Sequence, residues 1–204
     1  MFPARKIALP GDTAIKAGDL IGFCGYSWLS ALINIATYAV PFYGISHVGI
    51  MATSPSPDGK LRLFESTTLD GEVPCEIRNQ PINGTQAHTL DASVQRYRGA
   101  VYHYPLYRSL YPQEDERLTG FLVDLLGLPY DEMGAFRSAG VGLSWIESLL
   151  RPQNLTSIFC SELCAAAYHV VGLYATDNVS RWNPNRLCRR LRLHHILGKP
   201  RRLK

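Results

Sequence analysis

Short motifs that identify several common enzyme classes are missing from this sequence of 204 residues. It has no G-x-S-x-G turn, no phosphate-binding P-loop, no G-x-G-x-x-G dinucleotide motif and no H-E-x-x-H zinc motif. These absences argue against an α/β-type serine hydrolase, a nucleotide hydrolase, a dinucleotide enzyme and a zincin. Charged residues are few, at 19%, beside 46% hydrophobic residues, which is typical of a globular protein with a core.

A secretory signal is also not evident, because the apolar run near the N-terminus is too short and is broken by prolines. The five cysteines are an odd number, and in a reducing compartment they are expected to be free thiols. We therefore expect a cytoplasmic protein. A phage-borne or a peripheral membrane location stays open at this point.

The segment from Leu20 to Ile45 contains no charged residue. Its length alone would allow it to span a bilayer, but glycines and Pro41 interrupt it. Polar residues at spacings of three and four predict a helix over 27–39 with one polar stripe. A buried or membrane-apposed helix is therefore favoured over a transmembrane span.

The basic residues concentrate at the C-terminal end. Residues 181–204 hold nine Lys and Arg and no acid, whereas the remainder has 12 basic and 17 acidic residues. We predict a main domain over 1–180, with 181–204 forming a basic helix and tail packed on it. A solvated helix face is the simpler interpretation of this charge. Peripheral contact with an anionic membrane is the alternative partner, and nucleic acid is disfavoured.

The patterns of apolar, turn and capping residues predict an α+β fold, with helices packed on a small antiparallel sheet. Residues 70–90 are predicted to be loop. Strands are predicted near 20–23 and over 46–52, 61–66 and 100–106, and helices over 27–39, 112–126, 161–171 and 183–197.

The strongest chemical signal is Cys160, in the sequence Phe-Cys-Ser-Glu-Leu that opens a predicted helix. Unpaired amides and the positive end of the helix dipole favour a thiolate there. The same amides can stabilise an oxyanion formed by attack at the sulfur. The alternative is a small buried hydrophobic residue, which is the common role of a free cysteine.

His47 is the histidine best placed to act as a base, at the head of a predicted strand. If residue 47 pairs opposite residue 65 in the hairpin, Glu65 lies on the same face and can orient the imidazole. A slip of one residue would separate them, and a solvated role for Glu65 stays open. A zinc site at Cys160, Cys164 and His169 lacks a second ligand pair, so no metal or cofactor is expected.

Five segments together resemble the YiiX-like, circularly permuted branch of the NlpC-type papain-like cysteine hydrolase superfamily. They are the sequences that begin at Gly18 (GDLI), Ser46 (SHVGI), Phe64 (FEST), Gly127 (GLPYD) and Phe159 (FCSEL). In the main branch the cysteine helix comes first, and here it comes last. The resemblance spans about residues 17–190, so it covers nearly the whole chain.

The resemblance implies a permuted papain-like fold and a cysteine peptidase or amidase. It assigns the nucleophile to Cys160, the base to His47 and the third polar residue to Glu65. Tyr130, and with it Ser161, are expected to bind substrate or the oxyanion. The leading substrate is an amide or isopeptide of the cell-wall-peptide kind. A lipid acyl hydrolase or acyltransferase, and a non-catalytic binding protein, are the alternatives.

Overall fold

The structure, a computed structural model, describes residues 14–25, 44–67, 73–82, 84–127, 158–175 and 182–204. Within these ranges the chain forms one antiparallel sheet and four helices, so the predicted α+β class is confirmed. The predicted helix over 27–39, Tyr130 and most of the apolar stretch 131–158 lie outside the described residues.

Six strands form the sheet in the order β4-β3-β2-β1-β5-β6, and each neighbouring pair is antiparallel. All four predicted strands match observed strands to within two residues at each end. The strands are β1 (Leu20–Gly25), β2 (His47–Thr53), β3 (Leu61–Thr67), β4 (Gly84–His88), β5 (Gly99–Tyr104) and β6 (Arg201–Arg202).

The helices begin where the sequence supplies capping residues. Proline occupies the first turn of two of them, and the Asn183 side chain accepts a hydrogen bond from the amide of Arg186, which caps the last helix. They are α1 (Leu90–Arg96), α2 (Pro112–Asp124), α3 (Ile158–Val170) and α4 (Pro184–Leu193). The last helix ends at Leu193, four residues before its predicted end at Leu197.

Alternate side chains of the strands divide the core into two clusters, as strand geometry requires. The larger cluster packs one face of the sheet against α2, α3 and α4, with Leu118, Leu163 and Leu187 fully or almost fully buried. The smaller one lies on the other face, where Val94 of α1 packs among residues of β1, β2, β3 and β5.

The prediction that 70–90 is loop is wrong in part, because β4 forms there and α1 follows directly. β4 has the sequence Gly-Thr-Gln-Ala-His, and Thr85, Gln86 and His88 are all buried. Because its residues are mostly polar, a pattern of alternating apolar residues does not predict this strand. β3 supplies the pairing partner that makes it a strand.

The basic C-terminal region packs on the same sheet. Leu187, Cys188 and Leu191 of α4 are buried in the larger cluster, and β6 pairs with the edge of β5. Most of the basic side chains of this region are exposed. Within the described part of the chain, none of the helices has the length and hydrophobicity that a bilayer crossing requires. Contact of this surface with an anionic membrane stays a prediction.

Candidate active site

His47 is the first residue of β2, at one end of the sheet. Its ring packs against Phe23 on the adjacent strand, with ring centroids 5.4 Å apart. The chain just before it is held by α4, because Asn185 Oδ1 accepts a hydrogen bond from the Ile45 amide at 2.7 Å. The backbone that carries the imidazole is therefore held in place by α4.

Glu65 binds this imidazole directly. Nε2–H of His47 donates to Oε2 of Glu65 at 2.8 Å. The sequence left open whether residue 47 pairs opposite residue 65, and the observed register differs from that pairing by two residues, because Glu65 lies opposite Gly49. A shift of two positions preserves the face on which a strand residue lies. The two side chains therefore meet diagonally across the hairpin.

Cys160 is the third residue of α3, within the first turn of the helix. Its side chain forms a hydrogen bond with His47. Nε2 of the same ring is hydrogen-bonded to Glu65. The first turn of α3 thus meets the end of β2, and the structure brings together Cys160, His47 and Glu65.

The electrostatics of His47 favour its protonated form. Burial alone lowers the pKa of the imidazole, but the charge and hydrogen bond of Cys160, together with those of Glu65, raise it to about 10. Burial likewise raises the pKa of Glu65, yet its hydrogen bond with His47 and the charge on the ring hold that pKa below its ordinary value. The two neighbours of the ring thus favour the imidazolium over the neutral imidazole.

The other buried thiols differ from this pattern. All five cysteines are buried, and none of them forms a disulfide. Cys164 lies one turn further along α3, and burial raises its pKa well above the ordinary value. Burial also raises the pKa of Cys188, to about 12. Neither has a histidine among the groups that shift its pKa.

Ser161 has a structural contact that the sequence did not reveal. Its hydroxyl donates to the backbone carbonyl of Trp182, just before α4, and its side chain is fully buried. This bond joins the start of α3 to the start of α4. The expected substrate or oxyanion role of Ser161 stays a prediction, and Tyr130 lies outside the described residues.

Ser93 is a site residue that the sequence analysis missed. Its hydroxyl donates to Oε1 of Glu65 at 3.2 Å. It belongs to α1, between the predicted loop 70–90 and the predicted strand 100–106, where no element was predicted, and it is 28 residues from Glu65. No motif or spacing connects the two in the sequence.

A metal centre receives no support from the described residues. Within the described ranges, no group of three or more His, Cys, Asp or Glu side chains is arranged to hold a metal ion. The alternative of zinc at Cys160, Cys164 and His169 therefore has no described ligand set.

No protein-family model matches the chain, and no curated protein matches it. Among solved structures, the chain is similar to the metalloprotein yiiX of Escherichia coli O157:H7. The two are 19% identical with a TM-score of 0.46, and the match covers 77% of this chain and 67% of that one. A likeness at this level carries no conclusion about the site, whose description depends on the contacts above.

Proposed function

We propose that the protein is a cysteine hydrolase that cleaves an amide or isopeptide bond through Cys160, His47 and Glu65. The observation that carries this proposal is the position of the His47 ring, which is hydrogen-bonded to the Cys160 thiol on one side and to the Glu65 carboxylate on the other. A nucleophile, a base and a group that orients the base form the minimum apparatus of acyl transfer.

In the first half-reaction the Cys160 thiolate, whose proton is already held by His47 in the resting ion pair, attacks the substrate carbonyl carbon. The new C–S bond gives a tetrahedral oxyanion. The imidazolium then returns its proton to the leaving nitrogen, the C–N bond breaks, and the amine departs. The product on the enzyme is a thioester at Cys160.

In the second half-reaction His47 removes a proton from water, which attacks the thioester carbonyl. The C–S bond breaks, a carboxylic acid leaves, and Cys160 and His47 return to their starting state. Glu65 remains ionised throughout. It holds the Nε2–H of the ring and stabilises the imidazolium in both halves.

Backbone amides in the first turn of α3 are the donors best placed to stabilise the oxyanion. Cys160 is the third residue of α3 as the structure describes it, and amides near the N-terminus of a helix can donate to groups outside the helix. The Ser161 hydroxyl is directed to the Trp182 carbonyl. We therefore assign oxyanion stabilisation to main-chain N–H groups near the sulfur and not to that hydroxyl.

An amide of the cell-wall-peptide kind is the leading substrate class, since the sequence motifs resemble a peptidase and amidase superfamily. The lipid acyl alternative depends on the apolar segments 20–45 and 131–158. Most of both segments lies outside the described residues, so no observation on the site favours that alternative.

The test is the pH dependence of iodoacetamide alkylation, measured residue by residue by peptide mass spectrometry. At pH 6 an ordinary thiol, with a pKa of about 8.5, is almost fully protonated and unreactive. We expect Cys160 to alkylate rapidly at that pH and His47→Ala to remove this reactivity. Incubation with peptide amides should then leave an acyl group on Cys160.

Cys164 is the matched internal control, because it is also fully buried on the same helix. Equal access with unequal reactivity would identify the His47 contact as the cause. If Cys160 alkylates no faster than Cys164, or is unaffected by His47→Ala, the hydrolase proposal fails and a binding role takes its place.

A further inference from the structure

Glu65 has two carboxylate oxygens, and each accepts a hydrogen bond from a different element of the fold. Oε2 accepts the Nε2–H of His47 from β2 at 2.8 Å, and Oε1 accepts the hydroxyl of Ser93 from α1 at 3.2 Å. Both Glu65 and Ser93 are buried. The carboxylate is thus fixed in rotation as well as in position.

The remaining titratable groups around Glu65 do not replace the Ser93 hydroxyl. On β4, His88 Nε2–H donates to Oε1 of Gln86 at 2.9 Å, and burial lowers the pKa of His88. The charge of His88 acts on Glu65 without a hydrogen bond between them, and on α3 burial raises the pKa of Cys164. His47 is therefore the titratable group that donates a hydrogen bond to Glu65, and Ser93 is its neutral donor.

We propose that Ser93 is a positioning residue that holds the Glu65 carboxylate in the orientation in which it binds the His47 imidazolium. The proposal rests on the function proposed above and extends its catalytic triad by one residue. Ser93 touches neither the thiol nor a substrate, and its effect passes through Glu65.

The physical reason is the cost of a buried carboxylate oxygen without a donor. Without the hydroxyl, Oε1 loses its hydrogen bond and the carboxylate can turn away from the ring. Such a loss also disfavours the ionised form of Glu65, because hydrogen bonds to a carboxylate stabilise its charge. The pKa of Glu65 would then rise. As the pH is lowered, Glu65 would be protonated sooner, and the imidazolium would lose its anionic partner at a higher pH than in the wild type.

The experiment compares the pH profile of Cys160 alkylation in wild type, Ser93→Ala and Ser93→Thr. For Ser93→Ala we expect the decline of the alkylation rate at acid pH to begin at a higher pH than in the wild type. The rate should be severalfold lower near pH 5 and little changed at pH 8. Ser93→Thr keeps a hydroxyl and should restore the wild-type profile. Ser54→Ala is the control, since that buried serine accepts a hydrogen bond from the Ser56 amide at the far end of the β2–β3 hairpin.

A double variant separates positioning from general packing. In a Glu65→Gln background, Ser93→Ala should cause no further shift of the profile, because the group it acts through is gone. A profile for Ser93→Ala that overlays wild type, or a Ser93→Thr profile as shifted as that of Ser93→Ala, would overturn the proposal. So would an additive shift in the double variant.

The titration of His47 supplies a readout that does not depend on hydrolysis. In protein labelled at histidine, NMR should show a lower His47 pKa in Ser93→Ala than in wild type. This measurement keeps the two proposals apart. The hydrolase proposal fails if His47→Ala leaves Cys160 alkylation unchanged, whereas the positioning role fails if the His47 titration ignores Ser93→Ala.

Discussion

Two histidine–carboxylate pairs lie in the same sheet, and their contacts are nearly identical. His47 Nε2–H donates to Glu65 at 2.8 Å, and His103 Nε2–H donates to Asp19 at 2.7 Å. They differ in their surroundings. The His47 side chain is 22% exposed and contacts a thiol, whereas His103 and Asp19 are 2% and 0% exposed.

The second pair fastens the start of β1 to the loop that follows β5. Besides His103, Asp19 accepts hydrogen bonds from the amides of Lys16 at 3.0 Å and Leu106 at 2.8 Å. The preceding residue, Gly18, has a φ of +85° and lies against Leu106, a place that suits only glycine. The comparison teaches that a histidine–carboxylate pair indicates chemistry only when a nucleophile completes it.

The largest expected effect is that of His47→Ala on the reaction. Loss of a general base typically costs about 10²–10⁴-fold in rate, so turnover of any accepted amide should fall by that factor. The fall is measured by steady-state kinetics together with neutral-pH alkylation of Cys160. An equal loss in His103→Ala, measured on folded protein, would break the distinction between the two pairs.

His103→Ala should instead affect stability. Leaving a buried acceptor without one of its donors costs about 1–3 kcal/mol, and Asp19 would keep only its backbone donors, the amides of Lys16 and Leu106. Urea unfolding followed by circular dichroism should show that loss, while Cys160 in the folded fraction keeps its reactivity. A variant as stable as wild type would contradict the fastening role, and His195→Ala, at an exposed position, is the control.

Glu65→Gln sharpens the comparison by keeping the shape of the pair and removing its charge. An opposite charge at this range shifts a pKa by about 1–3 units, so the pKa of His47 should fall by about that much from its value of about 10. The NMR titration of His47 reports this directly, and the alkaline step in Cys160 alkylation should move to lower pH with it. Unchanged values for both would show that the thiol alone sets the state of His47.

The sequence left the arrangement of the candidate site conditional on the hairpin register. Alternation along two strands puts His47 and Glu65 on one face only for some registers, and the resemblance of the motifs is what singled out Cys160 together with His47. The register could not be fixed, since it depends on the conformation of the turn between the strands, 54–60. A shift of two residues leaves the face unchanged, so the observed register still brings the two side chains together.

The polar support of Glu65 could not be predicted in the same way. β4 presents buried polar residues, and β-propensity and alternation give no signal for such a strand. Ser93 reaches Glu65 only because α1 packs beside β3, a tertiary contact between segments 28 residues apart. Helix capping, by contrast, is local, so Pro112 and Asn183-Pro184 located the starts of α2 and α4 correctly.

The smallest expected effect is a second step in Cys160 alkylation at alkaline pH. The pKa of His47 is raised to about 10, so the imidazolium persists from neutral pH up to that value and loses its proton above it. The thiolate then loses its cationic partner and becomes more nucleophilic, so we expect the rate to be nearly flat between pH 7 and 9 and to rise severalfold near 10. His47→Gln should abolish the step.

Cys164 serves as the reference, because burial holds its pKa well above the ordinary value. A single smooth titration in the wild type would mean that Cys160 behaves as an isolated thiol, and the difference between the two histidine pairs would then lie in solvent exposure alone.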